Sequence, residues 1–398
     1  MDRTELVELL SPEGLRLLDS LPPYDARANV LGQVSALRRD GHSPGLVSAV
    51  LGQSKLRAKA VAKFGDFAPH MLFTEAGLEQ ATRLRVAALH AGRFAGAALN
   101  RVIDLGCGIG GDAMAMAALE LEVTAVDADE VTATVASFNL APFPSANVLH
   151  SPAESVDLSG VDAAWLDPAR RTAGHSNTSR LTRSEDYSPS LDFVFGLAER
   201  MPIGVKLGPG HDRDQIPATA EAQWISVDGQ VVEMGLWFGV LARPGIRRAA
   251  LLLTRDGAAE MTAAADSDDV EVAPLGDYLY EPDGAVIRAR LIGDLARTLG
   301  AGMLSESIAY LTGPTFTPTP FATAFRVLEV LPVDEKKLRV ALQERRIGTL
   351  EIKKRGVDVD PATLRTRLKL KGPESATLVL TRAAGHRVAL LVERVRAN

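Results

Sequence analysis

The stretch VIDLGCGIGGD, residues 102–112, combines an apolar segment, two aspartates and four glycines. Glycine allows a tight turn and lets a ligand approach the backbone, because it has no Cβ atom. A helix that begins directly after such a turn presents free N–H groups at its start. The stretch therefore predicts a strand, a ligand-binding turn and a helix, in that order.

The acidic residues help to distinguish two ligand classes that use such a turn. A G-x-G-x-x-G pattern begins at Gly106, and Asp127 follows it by 21 positions, where a ribose-binding acid is expected for a dinucleotide or for S-adenosylmethionine. Asp104 and Asp112 bracket the glycines. Two carboxylates repel a pyrophosphate but attract a sulfonium and an ammonium group, so the charge pattern favours S-adenosylmethionine.

Short apolar segments alternate with helical ones after Arg101. RVIDLG, EVTAVDA, ANVLHS, DAAWLDPAR and PIGVKLGPG are predicted strands, each apolar throughout, which is typical of a parallel sheet covered on both faces. AQWISV and EMGLWFGVL predict an antiparallel hairpin at one edge. The predicted fold class is α/β, and ligands of such sheets bind at the carboxyl edge of the strands.

Four regions are predicted along the chain. They are a helical N-terminal domain over 1–98, the α/β core over 99–255, a connecting segment of uncertain fold over 256–326, and a small basic α+β domain over 327–398. In the first region, Thr74 is predicted to cap one helix through FTEAGLEQATRLRVAALHAGRFA. In the third, AEMTAAADSDDVEVAP is expected to be a loop and AVIRARLIGDLARTLGAGML a helix.

The glycine stretch resembles motif I of class I S-adenosylmethionine-dependent methyltransferases. The resemblance covers about residues 100–245 and implies their Rossmann-like sheet of parallel strands with a terminal hairpin. It implies a cofactor site made of Asp104, Gly106, Gly108, Gly110, Asp127, Ala128 and Glu154. GIGGD before an alanine- and methionine-rich helix is similar to the cap trimethylguanosine synthase branch. LFTEAGLEQAT is similar to the short helix that lies over the cofactor in that branch, which places Gln80 or Thr82 near it.

The segment WLDPARR lies where amino-methyltransferases carry an acid or amide, two prolines and an aromatic residue. Asp167 and Pro168 fit that pattern, whereas Ala169 and Arg170 depart from it. Asp167 is the candidate to hydrogen-bond and deprotonate a planar amine, and Arg170 could bind a phosphate. Without the aromatic residue, base stacking would have to come from elsewhere, with Tyr187, Trp237 and Phe238 as candidates.

The C-terminal segment is basic on an acidic chain. Residues 331–398 contain 16 Lys and Arg against 8 Asp and Glu, a charge of +8, while the whole chain carries −6, which leaves −14 elsewhere. Such clustered charge suits phosphate contacts. The candidate RNA-binding residues are Arg346, Lys353, Lys354, Arg355, Arg367 and Lys369. The segment also resembles the THUMP-like domain of bacterial methyltransferases, which implies RNA, tRNA or rRNA, as a partner.

Composition excludes several other classes. Cys107 is the single cysteine, so an intrachain disulfide and a cysteine zinc cluster are excluded, and no metal is expected. No run of eighteen apolar residues is present, so no membrane span and a cytoplasmic location are expected. The leading hypothesis is a methyltransferase acting on a base nitrogen of RNA. The alternatives are an RNA-binding protein without turnover, a methyltransferase for a protein or small molecule, and a dinucleotide-dependent oxidoreductase; the oligomeric state is not predicted.

Overall fold

A computed structural model describes residues 1–25, 27, 30–170 and 184–395, except the side chain of Arg170. The chain forms two compact units. Unit 1 comprises Met1–Leu207 and Leu236–Ala242, and unit 2 comprises Gly208–Gly235 and Arg243–Asn398. The guanidinium of Arg170, predicted above as a candidate phosphate ligand, and residues 171–183 lie outside the described residues.

Unit 1 begins with helices, as predicted for its first region. They are α1 (Arg3–Leu9), α2 (Pro12–Ser20), α3 (Val30–Arg39), α4 (Pro44–Phe64), α5 (Glu75–Gln80) and α6 (Leu84–Gly96). Ser11 caps α2 ahead of Pro12, whose fixed φ suits the first helical position. Thr74 caps α5 through the N–H of Gly77, which confirms the predicted cap.

The α/β part of unit 1 follows these helices. Its elements are β1 (Arg101–Leu105), α7 (Gly111–Ala117), β2 (Glu122–Asp127), α8 (Glu130–Leu140), β3 (Ala146–His150), β4 (Ala163–Leu166), β5 (Ala169–Arg170), β6 (Tyr187–Ser188), α9 (Leu191–Ala198) and β7 (Ile203–Leu207). The five predicted strands run parallel in the order β7-β4-β1-β2-β3, and β5 pairs with β6 as a separate two-stranded ribbon. The α/β class with a Rossmann-like parallel sheet is confirmed.

Unit 2 begins with four strands around the predicted hairpin. They are β8 (Glu221–Val227), β9 (Gln230–Trp237, whose last two residues belong to unit 1), β10 (Arg248–Thr254) and β11 (Gly257–Ala263). They lie in the order β11-β10-β8-β9. A two-residue turn joins β8 to β9, with φ of 49° at Asp228 and 82° at Gly229, as expected for a tight hairpin.

A seven-stranded sheet forms the rest of unit 2. Its elements are β12 (Tyr278–Pro282), α10 (Gly284–Arg288), α11 (Ile292–Leu299), β13 (Gly302–Ser305), β14 (Ile308–Gly313), β15 (Ala322–Leu331), α12 (Glu335–Glu344), β16 (Ile347–Lys354), α13 (Pro361–Leu368), β17 (Glu374–Ala383) and β18 (His386–Arg394). The strand order is β13-β14-β12-β15-β18-β17-β16. Two helices and four strands lie wholly or mostly after residue 325, which agrees with the α+β composition predicted for the C-terminal region. The segment of uncertain fold supplies β11 to β14 and the start of β15.

Three predicted elements were wrong. Residues 259–263, expected in a loop, belong to β11, which pairs along its whole length with β10. The helix predicted over 285–304 is α10, α11 and β13, because Arg290 and Gly300 adopt positive φ and interrupt it. The single helix predicted after Thr74 is α5 and α6, separated by extended backbone at Ala81 and Arg83.

Two absences concern the described part of the chain only. No helix there is long and apolar enough to cross a membrane. Within the same residues, no three His, Cys, Asp or Glu side chains are grouped so that they could hold a metal ion.

Candidate active site

The sheet register of unit 1 brings three acids to one edge. Leu105 of β1 pairs with Val126 of β2 and with Leu166 of β4. Asp127 and Asp167 are the next residues of their strands, so both lie level with the start of the glycine turn. The strand pairing therefore places both acids at the carboxyl edge of the sheet, where ligands of such folds bind.

Asp104 is a buried acid beneath the turn. Its side chain is about 1% exposed, and neither carboxylate oxygen has a hydrogen-bond partner among the described residues. Burial raises the pKa of Asp104 well above its ordinary value, and the negative charges of Asp112, Asp167 and Asp127 raise it further, against the opposing charge of Lys206. A buried acid without a hydrogen-bond partner is costly, and it is a candidate for contact with a cationic ligand.

Asp127 is tied to the turn by its backbone. Its Oδ2 accepts a hydrogen bond from the N–H of Gly108 at 3.1 Å, and its Oδ1 accepts one from the N–H of Asp129 at 2.9 Å. Burial raises the pKa of Asp127, while those two bonds oppose the rise. Each carboxylate oxygen can accept a further bond, so the acid can still receive ribose hydroxyls.

The glycines of the turn have different surroundings. Gly106 has φ of 90°, and a Cβ atom there would lie 3.1 Å from the carbonyl oxygen of Asp167. Gly108 has φ of 55° and open space around its missing Cβ, whereas a Cβ on Gly110 would face Leu140 of α8 at 3.3 Å. Gly108 therefore leaves open space for a ligand at the turn, and both Gly106 and Gly108 line the cavity described below.

Asp112 joins three elements at the first turn of α7. Its Oδ2 accepts a hydrogen bond from Thr82 Oγ1 at 2.7 Å, and its Oδ1 lies 2.9 Å from His90 Nδ1. Burial favours a raised pKa for Asp112, but the hydrogen bond and charge of His90 outweigh it and lower the pKa. The His90 ring stacks on Trp165 of β4 at 4.3 Å between centroids. Asp112 therefore stays ionised and links the start of α7 to Thr82 and to His90 of α6.

Asp167 forms a short ion pair at the end of β4. Lys206 Nζ of β7 lies 2.5 Å from Asp167 Oδ2 and also donates a hydrogen bond to the carbonyl oxygen of Gln80 at 3.0 Å. The side chains of Asp167 and Lys206 are 31% and 13% exposed. Pro168 is buried next to this pair. A carboxylate paired with an ammonium and partly open to solvent can accept hydrogen bonds from a substrate.

One cavity of about 330 Å³ connects these features. Its walls include Gly106, Gly108, Asp127, Ala128, Glu154 and Asp167 from the predicted site, and Gly77, Gln80 and Thr82 from the short helix α5 and the segment after it. Asp104, Gly110 and Pro168 do not line it. The volume suits a small organic ligand.

No aromatic side chain lines the cavity among the described residues. Tyr187, Trp237 and Phe238, considered for base stacking, are each at most 3% exposed. Trp237 packs on Trp165 with 5.5 Å between ring centroids, and Phe238 packs on Phe195 at 6.1 Å. These three rings are buried in the core and cannot stack on a base in the cavity. The described residues therefore offer no aromatic side chain for that role.

The candidate RNA-binding residues of unit 2 differ in their neighbours and in their exposure to solvent. Lys353 pairs with Glu281 at 2.7 Å, and Arg367 pairs with Glu335 at 2.9 Å. The guanidinium of Arg355 lies 5.3 Å from the ring centroid of Tyr310. The side chains of Arg346, Lys354 and Lys369 are exposed. Lys353 and Arg355 also line a second cavity of about 650 Å³, together with Arg394.

The residues fit S-adenosylmethionine better than a dinucleotide. The turn leaves open space at Gly108, where no atom lies within 4 Å of the position that a Cβ atom would take. Around it are three acids, one of them buried without a hydrogen-bond partner in the described residues. This donor set complements a ligand with an ammonium and a sulfonium group and opposes a pyrophosphate.

Sequence reasoning missed the contacts of two lysines at this site. Lys206 lies at the carboxyl end of a predicted parallel strand, which places it near a substrate, but its pair with Asp167 carries no sequence signal. Lys63 also carried no signal, because its contacts with the end of α5 and with Ala81 depend on how α4 and α5 pack.

Comparisons with known proteins agree with the fold and show the family. A Mycobacterium tuberculosis protein described as an uncharacterized S-adenosylmethionine-dependent methyltransferase is 34% identical over 354 residues, which cover 85% of this chain and 93% of the relative. The crystal structure of a protein from Porphyromonas gingivalis W83, described as a proposed methyltransferase, matches with a TM-score of 0.76 at 19% identity, covering 100% of both chains. The family described as THUMP domain-like matches residues 322–394, and a domain of unknown function, DUF8688, matches residues 2–60.

A parallel sheet with a glycine turn after its first strand and acids at its carboxyl edge defines the class I methyltransferase architecture, which the Porphyromonas structure shares as a fold. The chain belongs to the S-adenosylmethionine-dependent methyltransferases. It is an enzyme whose cofactor is S-adenosylmethionine, and the dinucleotide-dependent alternative is excluded by this family membership.

Proposed function

We propose that this methyltransferase transfers a methyl group to a base nitrogen of RNA, in the cavity of unit 1. The observation that carries the proposal is the position of Asp167. Its carboxylate, paired with Lys206 at 2.5 Å, lines the same cavity as the glycine turn. An acceptor held by Asp167 would therefore face a cofactor held by the turn.

The cofactor is assigned to the residues around the turn. Asp104 would supply negative charge for the ammonium group, and Asp127 would accept hydrogen bonds from the ribose hydroxyls. The backbone at Gly106 and Gly108 would lie against the ligand, with Ala128 and Glu154 on the adenine side. S-adenosylmethionine supplies a methyl group already activated by its positive sulfur, so the protein has to position the acceptor and take one proton.

Asp167 is assigned to the acceptor. An exocyclic amine presents two N–H donors, and a carboxylate next to it orients its plane and then takes the proton that the nitrogen loses. Lys206 holds Oδ2 at 2.5 Å, which keeps the Asp167 carboxylate at the cavity wall. Pro168 restricts the backbone after Asp167 and so fixes the direction of the carboxylate.

RNA as the substrate is supported by unit 2. The basic segment beyond residue 330 lies within the part that matches the THUMP-like family. Arg346, Lys354 and Lys369 are exposed and can contact phosphates without breaking an ion pair. A second group of candidates for phosphate contacts lines the cavity of about 650 Å³ in unit 2; they are Lys353, Arg355 and Arg394. Phosphate contacts of this kind give affinity without sequence preference.

Incubation of the protein with bulk RNA and methyl-labelled cofactor tests this proposal. We expect label in RNase-sensitive material, with Asp167→Asn slowed about 100-fold, the scale of losing a positioned general base. Glu199→Gln, at an exposed acid that ends α9, is the matched control and should keep the wild-type rate. Absence of label in RNA, or equal rates for Asp167→Asn and Glu199→Gln, would contradict the proposal.

A second candidate function has one observation in its favour. The cavity has no aromatic wall among the described residues, and a base acceptor usually stacks on one. A protein or small-molecule acceptor would not need that wall. In the same assay it predicts RNase-resistant label, in protein or in the low-molecular-weight fraction.

A further inference from the structure

Three consecutive residues of unit 1 are each held by a charged side chain from a different element. We call Gln80–Thr82 the strap; it joins α5 to α6 and lines the cofactor cavity. Lys206 Nζ donates to the carbonyl oxygen of Gln80 at 3.0 Å, and Lys63 Nζ donates to that of Ala81 at 2.7 Å. Asp112 accepts the hydroxyl of Thr82 at 2.7 Å.

These anchors explain why the backbone leaves the helical path here. Lys63 also donates to the carbonyl oxygens of Leu78 and Glu79, at 2.8 and 2.6 Å. The last carbonyls of a helix need partners, and a lysine at that end also complements the helix dipole. Two ammonium groups thus end α5, and the chain continues in extended conformation over the cavity.

Lys206 differs from the other two anchors. Lys63 contacts the strap from the α4 side, and Asp112 contacts it from the start of α7. Lys206 contacts the strap and Asp167 with the same ammonium group. A shift of the strap away from the cavity would therefore draw Lys206 away from Asp167, or break one of the two contacts.

We propose that the strap closes over the cofactor and that Lys206 is a positioning residue that couples this closure to Asp167. The role of Asp167 toward the acceptor rests on the proposed function, whereas the strap and its link to Asp167 do not. Because one ammonium group serves both contacts, occupation of the cofactor side favours the arrangement of Asp167 that receives the acceptor. Coupling of this kind is reciprocal.

A double-mutant cycle on cofactor affinity, measured by calorimetry without any acceptor, tests the coupling. Lys206→Met and Lys63→Met are each expected to weaken S-adenosylmethionine binding about fivefold or more, whereas Lys55→Met, at an exposed lysine of α4, should change it less than about twofold. Asp167→Asn should weaken binding about threefold in the wild-type background and have no effect beside Lys206→Met. Lys206→Arg, which keeps the charge, should restore part of the affinity.

Additive effects in the cycle, or a Lys206→Met variant that binds the cofactor as wild type does, would overturn the proposal. Amide hydrogen exchange of the wild-type protein keeps the test valid if the variants do not fold. We expect slower exchange over residues 78–84 on addition of the cofactor, and unchanged exchange there would also overturn it. A strap that responds to the cofactor in a protein that labels no RNA would refute the proposed substrate and leave this inference standing.

Discussion

At the scale of single residues, Asp104 works against stability in the cofactor-free protein. Its carboxyl group is buried with no hydrogen-bond partner among the described residues, near three other acids. Because burial raises its pKa, the folded protein holds a proton that the unfolded chain releases at a lower pH. Its contribution to stability is therefore full below the ordinary value of 3.8 and is lost as the pH rises through the raised pKa.

Replacement of this acid separates binding from stability. Asp104→Asn should lower the affinity for S-adenosylmethionine about tenfold, the scale of one lost charge–charge interaction. It should also stabilise the cofactor-free protein at neutral pH by about 1 kcal/mol, because it removes a buried acid that costs free energy there, whether it is ionised or held protonated above its ordinary pKa. Calorimetry measures the first effect and thermal unfolding the second. Glu122→Gln, at the exposed start of β2, is the control and should change neither quantity.

The raised pKa of Asp104 also predicts a pH dependence of binding. A cationic ligand favours the carboxylate, so binding should release protons and the affinity for S-adenosylmethionine should rise with pH until the group is ionised in the free protein. Titration in buffers of different ionisation enthalpy measures the protons released. An affinity that is flat or falls with pH would be inconsistent with a neutral Asp104 in the free protein.

At the scale of elements, α5 can lie against the glycine turn because residue 77 has no side chain. A Cβ atom on Gly77 would lie 2.5 Å from Ile109 Cγ2 and 2.6 Å from Thr74 Oγ1. Contacts this short require a shift of the helix or of the turn. The glycine at this position therefore sets how closely the two walls of the cofactor cavity approach.

Gly77→Ala should push α5 away from the turn. It should destabilise the protein by about 1–3 kcal/mol and lower its affinity for the cofactor. Gly92→Ala is the matched change in α6, where nothing lies within 4 Å of the new methyl group. That variant should bind the cofactor normally and be more stable by about 0.5–1 kcal/mol, since alanine favours a helix. Thermal unfolding with and without S-adenosylmethionine compares them, and equal cofactor affinities would show that the approach of α5 is unimportant.

The sequence predicted elements well where one local rule dominated. The five parallel strands of unit 1 are apolar throughout, and the last two helices follow Asp334 and Asp360, whose side chains cap them. Prediction from the sequence failed where residues from other elements determine the local structure. The break between α5 and α6 depends on Lys63 and Lys206. β11 pairs with the edge of β10 although its Gly, Ala and Glu residues have low strand propensity.

The site was predicted to a similar extent. The turn and the acids at the carboxyl ends of β1, β2 and β4 follow from strand order alone, so Asp104, Asp127 and Asp167 could be placed together. Side-chain contacts that cross the fold could not be predicted. The pair between Lys206 and Asp167 and the tie between Asp112 and Thr82 require the packing of elements that no periodicity encodes.

At the scale of the whole molecule, charge is divided along the chain. The segment 331–398 is basic and the remainder acidic, which suits a protein that binds RNA through one region and a cationic cofactor in another. The structure also shows that positive residues in the sequence are not equally available. Lys353 and Arg367 have acidic partners, whereas Lys354 and Lys369 are exposed.

Removal of the exposed charges should therefore weaken RNA binding in a salt-dependent way. We expect the double variant Lys354→Gln with Lys369→Asn, in which asparagine suits the positive φ of position 369, to lower RNA affinity and reduce the slope of log Kd against log salt by about 2. Arg16→Gln with Lys55→Gln removes two exposed charges from unit 1 as the control. Filter binding at several salt concentrations measures both, and identical slopes would argue against this surface.

Our proposal that the cavity of unit 1 methylates a base nitrogen of RNA, with Asp167 positioning the acceptor, can be tested in cells. The measurement is mass spectrometry of nucleosides from cells with the gene, without it, and complemented with the wild-type gene or with Asp167→Asn. We expect one N-methylated nucleoside that is lost in the deletion, restored by the wild-type gene and not restored by Asp167→Asn. Nucleoside profiles that are the same with and without the gene would contradict it.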